Sequence, residues 1–256
     1  MKVNLMTPAA TPIESSTALA IECSAGVASA AVSHQGQLVS EKTIEAPHGH
    51  AAWMIPLAQD AVAEAGLTFQ DLTHILAGRG PGSFTGIRVA LAGAKGLALS
   101  LGIHAIGLSS LAALAASITA SRQAQKNAVL AIIDTRRGSL FFQAFDAHGK
   151  SRSDIIDGQP EDAAALIKAS SESWCLAGHG ADAIRARCPD HDITVAEKTS
   201  PDAHGLILQF SAMQAQHIAL DDDHLEPLYL AAPILGPKKS APKTAEKNAG
   251  KIEASS

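Results

Sequence analysis

The chain has 256 residues, enough for one large domain or two modest ones, and its 46% hydrophobic content supports a sizeable core. Net charge is −5, with 20 Lys and Arg against 25 Asp and Glu, which argues against a broad basic face that grips nucleic acid unaided. Cys23, Cys175 and Cys188 are scattered, with neither metal spacing nor a disulfide framework, and point to a reducing cytoplasm; the N-terminus lacks the long apolar run of an export signal.

Residues 1–16, rich in Thr, Pro, Ser and Ala, are expected to form a flexible leader. A β-meander follows, with strands over Ala18–Glu22, Ala28–Ser33 and Gln37–Ile44 and turns at Ser24–Gly26 and Gln35-Gly36. A helix spans about Gly49 to Ala65, with apolar positions at Trp53, Leu57, Ala61 and Ala65. A short strand, His74–Ala77, enters a glycine turn, and a helix runs from Phe84 to Leu101. The apolar window Val89–Ile103 is interrupted by Lys95 and glycines, unlike a membrane span. Ile103–Gly107 is a further strand, and Ser109 caps a helix to about Arg122.

The opening pattern then returns. Ala18-Leu-Ala-Ile-Glu-Cys-Ser24 and Leu130-Ala-Ile-Ile-Asp-Thr-Arg136 both give strand, acid, small polar residue and turn, which hints at a duplicated lobe. Strands are expected at Val129–Asp134, Ser139–Phe145 and Trp174–Ala177. The last leads into Gly178-His179-Gly180 and a helix, and His204–Ala219 forms the last long helix. From these patterns the N-terminal lobe covers residues 17–108 and the C-terminal lobe 109–235. Residues 236–256 form a disordered Lys/Ala-rich tail, with weak electrostatic help toward RNA as its alternative role.

Two segments could carry chemistry. Gly80, Pro81 and Gly82 force a tight turn, after which Ser83 or Thr85 can cap the helix. Such a turn either binds an anion through free N–H groups or is purely structural. It is not a P-loop, because Lys95 lies deep in the helix. Gly86, Ala90, Ala94 and Ala98 recur every fourth residue, a ridge suited to close approach of either the chain's own core or a partner. Glu22 with Ser24, and Asp134 with Thr135, are the two halves of a possible Mg²⁺-nucleotide clamp, unless each acid accepts N–H groups from its own turn. His48 and His50 lack further metal-ligand spacing and are expected to be exposed; no metal site is expected.

Gly80-Pro-Gly-Ser-Phe-Thr-Gly-Ile-Arg88, Lys95-Gly-Leu-Ala98, Gly102-Ile103 and Gly107-Leu-Ser-Ser-Leu111 resemble the bacterial TsaB (YeaZ) family. So do Ile132-Ile-Asp-Thr-Arg-Arg-Gly138, Ala177-Gly-His-Gly180 and Pro227-Leu-Tyr-Leu230, and the likeness runs from about Ala18 to Pro233. It implies an α/β protein of the actin-like ATPase (ASKHA) fold, with two duplicated lobes, each a mixed β-sheet flanked by helices. One departure stands out: where the family usually has Asp-Thr-Ser, this chain has Glu22-Cys23-Ser24, which weakens nucleotide binding at that turn.

The resemblance implies a cytoplasmic accessory subunit in threonylcarbamoyladenosine formation on the tRNA adenosine beside the anticodon. It implies no catalytic residue in this chain, which lacks the H-x-x-x-H metal motif of the catalytic partner TsaD. An older label for the wider family, glycoprotease, has no proteolytic centre to match here. Expected partners are TsaD as a heterodimer, the ATPase TsaE, a second copy when alone, and tRNA through the complex, without a membrane. No cofactor is expected to be tightly bound; ATP and Mg²⁺ act through partner subunits. The expected TsaD interface comprises Trp53, Leu57, Gly86, Ile87, Ala90, Leu91, Ala94, Leu97 and Ala98. The other class of reading is a self-contained actin-like ATPase using Glu22, Ser24, Asp134 and Thr135.

Overall fold

The computed structural model describes residues 16–45, 50–121, 127–216, 225–228 and 230. The expected leader before residue 16, the lysine-rich tail, His48 and the His50 side chain lie outside this description.

The first sheet contains β1 (Thr17–Glu22), β2 (Val27–His34), β3 (Gln37–Glu45), β4 (His74–Gly78) and β5 (His104–Leu108). Its order is β3-β2-β1-β4-β5; the meander is antiparallel, and β4 and β5 join parallel to β1. Parallel neighbours need crossovers, supplied by α1 (His50–Glu64) and α2 (Phe84–Leu101). The second sheet contains β6 (Ala128–Asp134), β7 (Leu140–Phe145), β8 (Ile156–Gly158), β9 (Trp174–Ala177) and β10 (Ile193–Val195). Its order, β8-β7-β6-β9-β10, repeats the first with the same strand directions. The duplication seen in the acid-ended strands therefore extends to both sheets, and the architecture is the actin-like one. Short elements without a sequence expectation complete the second unit: β8, β10 and α4 (Pro160–Lys168).

Each sheet is covered on both faces, so its strands are nearly continuous apolar runs. Leu19, Ile21, Ala30, Val32, Ile75 and Ala77 face α1 and α2. On the opposite face, Ala18, Ala20, Ala31, Leu76 and Ile106 meet α6 (Ala203–Ala215) through Leu206, Ile207 and Phe210. In the second sheet, Leu130, Ile132, Phe142 and Leu176 cluster with α4 and α5 (Ala181–Arg185). Val129, Ala131, Ile133 and Phe141 cluster with α3 (Ser110–Ala120).

The helices nearest the middle of the molecule are thus exchanged. The helix following the first sheet covers the second, and α6, at the end of the second unit, returns to cover the first. A division of the chain at residue 108/109 places α3 with the sheet it covers, while α6 crosses to the sheet of the other lobe. The two helices pack on each other, and a Cβ on Gly205 would lie 2.3 Å from the Ala113 carbonyl oxygen, so only glycine permits this approach. Ala203 N–H also donates to Ser29 Oγ at 2.9 Å, tying α6 to β2. Among the described residues α2 alone is long and apolar enough to cross a membrane, and its apolar face lies on the first sheet.

Candidate functional site

The turn between β1 and β2 faces the turn between β6 and β7 across a cleft of about 290 Å³. Ser24, Ala25 and Gly26 line it from the first unit, and Ile133, Asp134, Thr135 and Arg136 from the second. Ser83, His179 and Thr199 complete the wall. The structure therefore brings together Ser24, Asp134 and Thr135, as the clamp reading requires, but not Glu22.

Glu22 is fully buried behind the cleft wall. Its Oε1 accepts from Ser24 N–H at 2.6 Å and its Oε2 from Ser110 Oγ at 2.7 Å. Ser110 N–H in turn donates to the Gly80 carbonyl at 2.9 Å, so the carboxyl braces β1, the glycine turn and the start of α3. A Cβ on Gly78 would sit 2.0 Å from Glu22 Oε2; the bare backbone at Gly78 makes room for the longer acid. Burial raises the Glu22 pKa, and the hydrogen bonds from Ser110 and Ser24 act in the opposite sense. Burial, then the neighbouring Glu22 charge, pushes the Cys23 thiol up to about 12, so it is not a reactive thiolate.

Across the cleft, Asp134 Oδ1 accepts from Arg136 N–H at 2.7 Å. Thr135 Oγ1 donates to the Ser139 carbonyl at 2.8 Å and accepts from Arg137 N–H at 3.1 Å. Both acids thus serve their own turns. The residues do not fit the Mg²⁺-nucleotide clamp: one of its two carboxylates points into the protein with both oxygens engaged. Among the described residues no group of three His, Cys, Asp or Glu side chains could hold a metal ion.

The glycine turn also faces inward. Ser83 N–H donates to the Ser24 carbonyl at 2.6 Å. A Cβ on Gly82 would lie 2.3 Å from Ser24 O, and one on Gly86 1.9 Å from Cys23 O. The turn is a brace for the β1–β2 turn, which decides for its structural role over an open anion loop. Ser83 Oγ caps α2 by accepting from Gly86 N–H at 3.2 Å, while Thr85 is exposed. The Arg88 guanidinium carbon stacks 3.7 Å from the Phe84 ring centroid.

The expected interface residues divide by helix face. Gly86, Ile87, Ala90, Leu91, Ala94 and Ala98 are buried against the chain's own sheet, and Leu97 packs half-buried on the same core. The six buried residues cannot contact a partner, whereas half-buried Leu97 keeps part of its surface open; close approach is real, but its object is β1, β4 and β5. The outward face of α2 carries Arg88, Ala92, Lys95, Gly96 and Leu99. On α1, Met54, Ala58, Ala61 and Val62 turn inward and Leu57 is half-buried. Trp53 is 46% exposed, Ile55 38% and Leu99 86%. Gly93 leaves space for the Met54 side chain, so α1 and α2 lie against each other.

Arg136, His179 and Thr199 entered the cleft without a sequence expectation. A signal existed for His179. The Gly178-His179-Gly180 turn follows β9 as Gly80-Pro81-Gly82 follows β4, and all four of these glycines have positive φ.

A family model described as TsaD, tRNA N6-adenosine threonylcarbamoyltransferase, matches residues 40–213. The tRNA threonylcarbamoyladenosine biosynthesis protein TsaB of Escherichia coli is 29% identical over 192 residues, covering 72% of this chain and 81% of that protein. The Haemophilus influenzae protein of the same description is 32% identical over 139 residues, 54% of this chain and 57% of that protein. The solved structure of YeaZ from Pseudomonas aeruginosa superposes with a TM-score of 0.72 at 28% identity, covering 84% of this chain and 100% of that one.

Proposed function

This chain belongs to the TsaB (YeaZ) family, within the wider TsaD-type family whose model it matches, and we propose that it is the non-catalytic subunit that binds and activates TsaD. It takes part in tRNA threonylcarbamoyladenosine biosynthesis. The activity it supports is threonylcarbamoyl transfer to the tRNA adenosine beside the anticodon, in the cytoplasm. ATP and Mg²⁺ act through TsaD and TsaE, and this chain supplies a surface.

The observation that carries the reading is the outward face of α1 and α2. Trp53, Ile55 and Leu99 are large apolar side chains held on the surface of two adjoining helices. Exposed apolar side chains on adjoining helices supply area that a docked partner would bury. Small residues Ala92 and Gly96 beside Leu99 let a partner helix approach closely. A standard interface buries about 800 Å² per partner, within reach of two helices of 15 and 18 residues. Without TsaD the same face pairs two copies of this chain, so homodimer and heterodimer compete. The withdrawal of Glu22 from the cleft supports a supporting role over a self-contained ATPase. The chain acts by favouring the competent arrangement of TsaD, a shift of population and not a donated side chain.

The test is reconstitution of tRNA threonylcarbamoylation with TsaD, TsaE and the threonylcarbamoyl-AMP synthase, with and without this protein. Dependence on it, with no activity from it alone, is the expected result. Full activity in its absence would overturn the assignment.

A further inference from the structure

We propose that the groove where α3 and α6 meet the turn after β7 binds a small amphipathic carboxylate, with its apolar body between the helices and its anionic end at Lys150. α3 buries Leu111, Leu114 and Ile118 on the second sheet, while Ala112, Ala116 and Ala120 line the groove beside α6. These alanines recur every fourth residue and so share one helix face. Their single methyl groups leave space that longer side chains would fill, and the groove holds about 420 Å³. Leu208 and Met213 wall it from α6, and Phe145 from the end of β7. Such a volume lies within the ~300–1,000 Å³ of sites for small organic ligands, which gather at junctions between units. Met213, unbranched and flexible, can adapt its side chain to an apolar guest.

The polar groups of the groove are few. Gln209 Oε1 is buried there with no hydrogen-bond partner among the described residues, and a buried polar atom left unpaired is costly. Turning the amide over presents Nε2 as a donor at the same place. Lys150 and His148 line the groove from the turn after β7. That turn is firmly held. Asp146 N–H donates to the Lys150 carbonyl at 2.9 Å and Gly149 N–H to the Asp146 carbonyl at 3.0 Å. Gly149 takes φ 79°, and a Cβ on it would lie 3.8 Å from Thr119 Oγ1, so the turn lies close on α3. Asp146 is the one carboxylate of the turn, and its Oδ1 accepts the His148 and Lys150 N–H groups, each at 2.9 Å. Among the described residues Lys150 Nζ makes no ion pair. An ammonium without a counter-ion beside an apolar floor is complementary to a carboxylate on an apolar body. The body is either an alkyl chain or an aryl ring. A ligand seated here touches both exchanged helices, away from the α1–α2 face and from the cleft between the β1–β2 and β6–β7 turns.

Titration calorimetry on the full chain with octanoate, phenylacetate and octanol tests it, alongside Lys150→Gln and Ala212→Phe. Both positions are exposed, so both variants keep the fold, which an unchanged circular dichroism spectrum checks. Ala212 lines the groove, and a phenyl ring there fills it. Saturable binding of at least one acid is expected, weakened about tenfold or more by Ala212→Phe. Lys150→Gln should weaken it roughly threefold, the loss of an exposed charge pair, and octanol should bind more weakly than octanoate by a similar factor. The tighter acid identifies the body, octanoate an alkyl chain and phenylacetate an aryl ring. Octanol binding as tightly as octanoate would reduce the groove to an apolar surface and overturn the proposal. Absence of saturable heat with both acids, or binding unchanged by Ala212→Phe, would overturn it as well.

Discussion

At the end of β1 the Glu22 carboxyl accepts one hydrogen bond from its own turn and one from Ser110, with no access to water. Because burial raises its pKa above the ordinary 4.5, the folded chain keeps a proton that the unfolded chain releases. Stability therefore falls as pH rises from 4.5 to the folded-state pKa, and the cost persists above it. Glu22→Gln keeps an acceptor for Ser24 N–H and offers N–H to Ser110 Oγ without a charge to desolvate. Denaturant titrations should show its stability nearly flat across this window, equal to or above that of the parent chain at neutral pH. Equal pH slopes in the two proteins would refute the account. Gly78 belongs to the same arrangement. Gly78→Ala places a methyl 2.0 Å from Glu22 Oε2 and is expected to cost about 2–3 kcal/mol. Shortening the acid should relieve it, so the cost of Gly78→Ala measured in a Glu22→Asp background should drop by at least half; a purely additive double-mutant cycle would separate the two residues.

At the scale of the element, α2 shows what a residue pattern can and cannot state. Gly86, Ala90, Ala94 and Ala98 announce a surface that must be approached closely, and its bounds, Phe84–Leu101, follow from the glycine turn and Gly102. The pattern is silent on whose surface it is: a sheet of Ala-rich strands and a partner helix ask for the same small side chains. The structure assigns the ridge to the chain's own sheet and leaves the opposite face, with Leu99, exposed. α4, β8 and β10 were illegible for another reason: they have 9, 3 and 3 residues, too few for a period to emerge. The two faces of α2 predict opposite outcomes for the same substitution. Leu99→Arg should leave the unfolding midpoint nearly unchanged. It should still abolish co-elution with TsaD on size-exclusion chromatography and lower tRNA threonylcarbamoylation at least tenfold. Ala94→Arg buries a charge in the core and should prevent folding. A Leu99→Arg chain that still co-elutes and supports full activity would remove α2 from the interface.

For the whole molecule, the duplication was legible because Ala18–Ser24 and Leu130–Arg136 share an order of strand, acid, small polar residue and turn that the two sheets then reproduce. The exchange of α3 and α6 was not, since nothing in a helix's own sequence names the sheet it will cover. Its consequence is mechanical. Phe210 is encoded in the second unit but is almost fully buried on the back of the first sheet, near His74 with ring centroids 5.1 Å apart. Removing it leaves a cavity under β1 and β4, and Phe210→Ala should cost about 3–5 kcal/mol. Because α6 packs on α3, and α3 on the second sheet, that loss should not stay in the first unit. The two tryptophans make this measurable, since Trp53 lies on α1 and Trp174 on β9. Replacing each in turn by phenylalanine leaves a single fluorophore reporting on one unit. Both reporters should give the same urea midpoint, and Phe210→Ala should lower both by the same amount. If only the Trp53 midpoint moved, the units would unfold independently, and α3 and α6 would be a contact between two domains instead of the shared core of one.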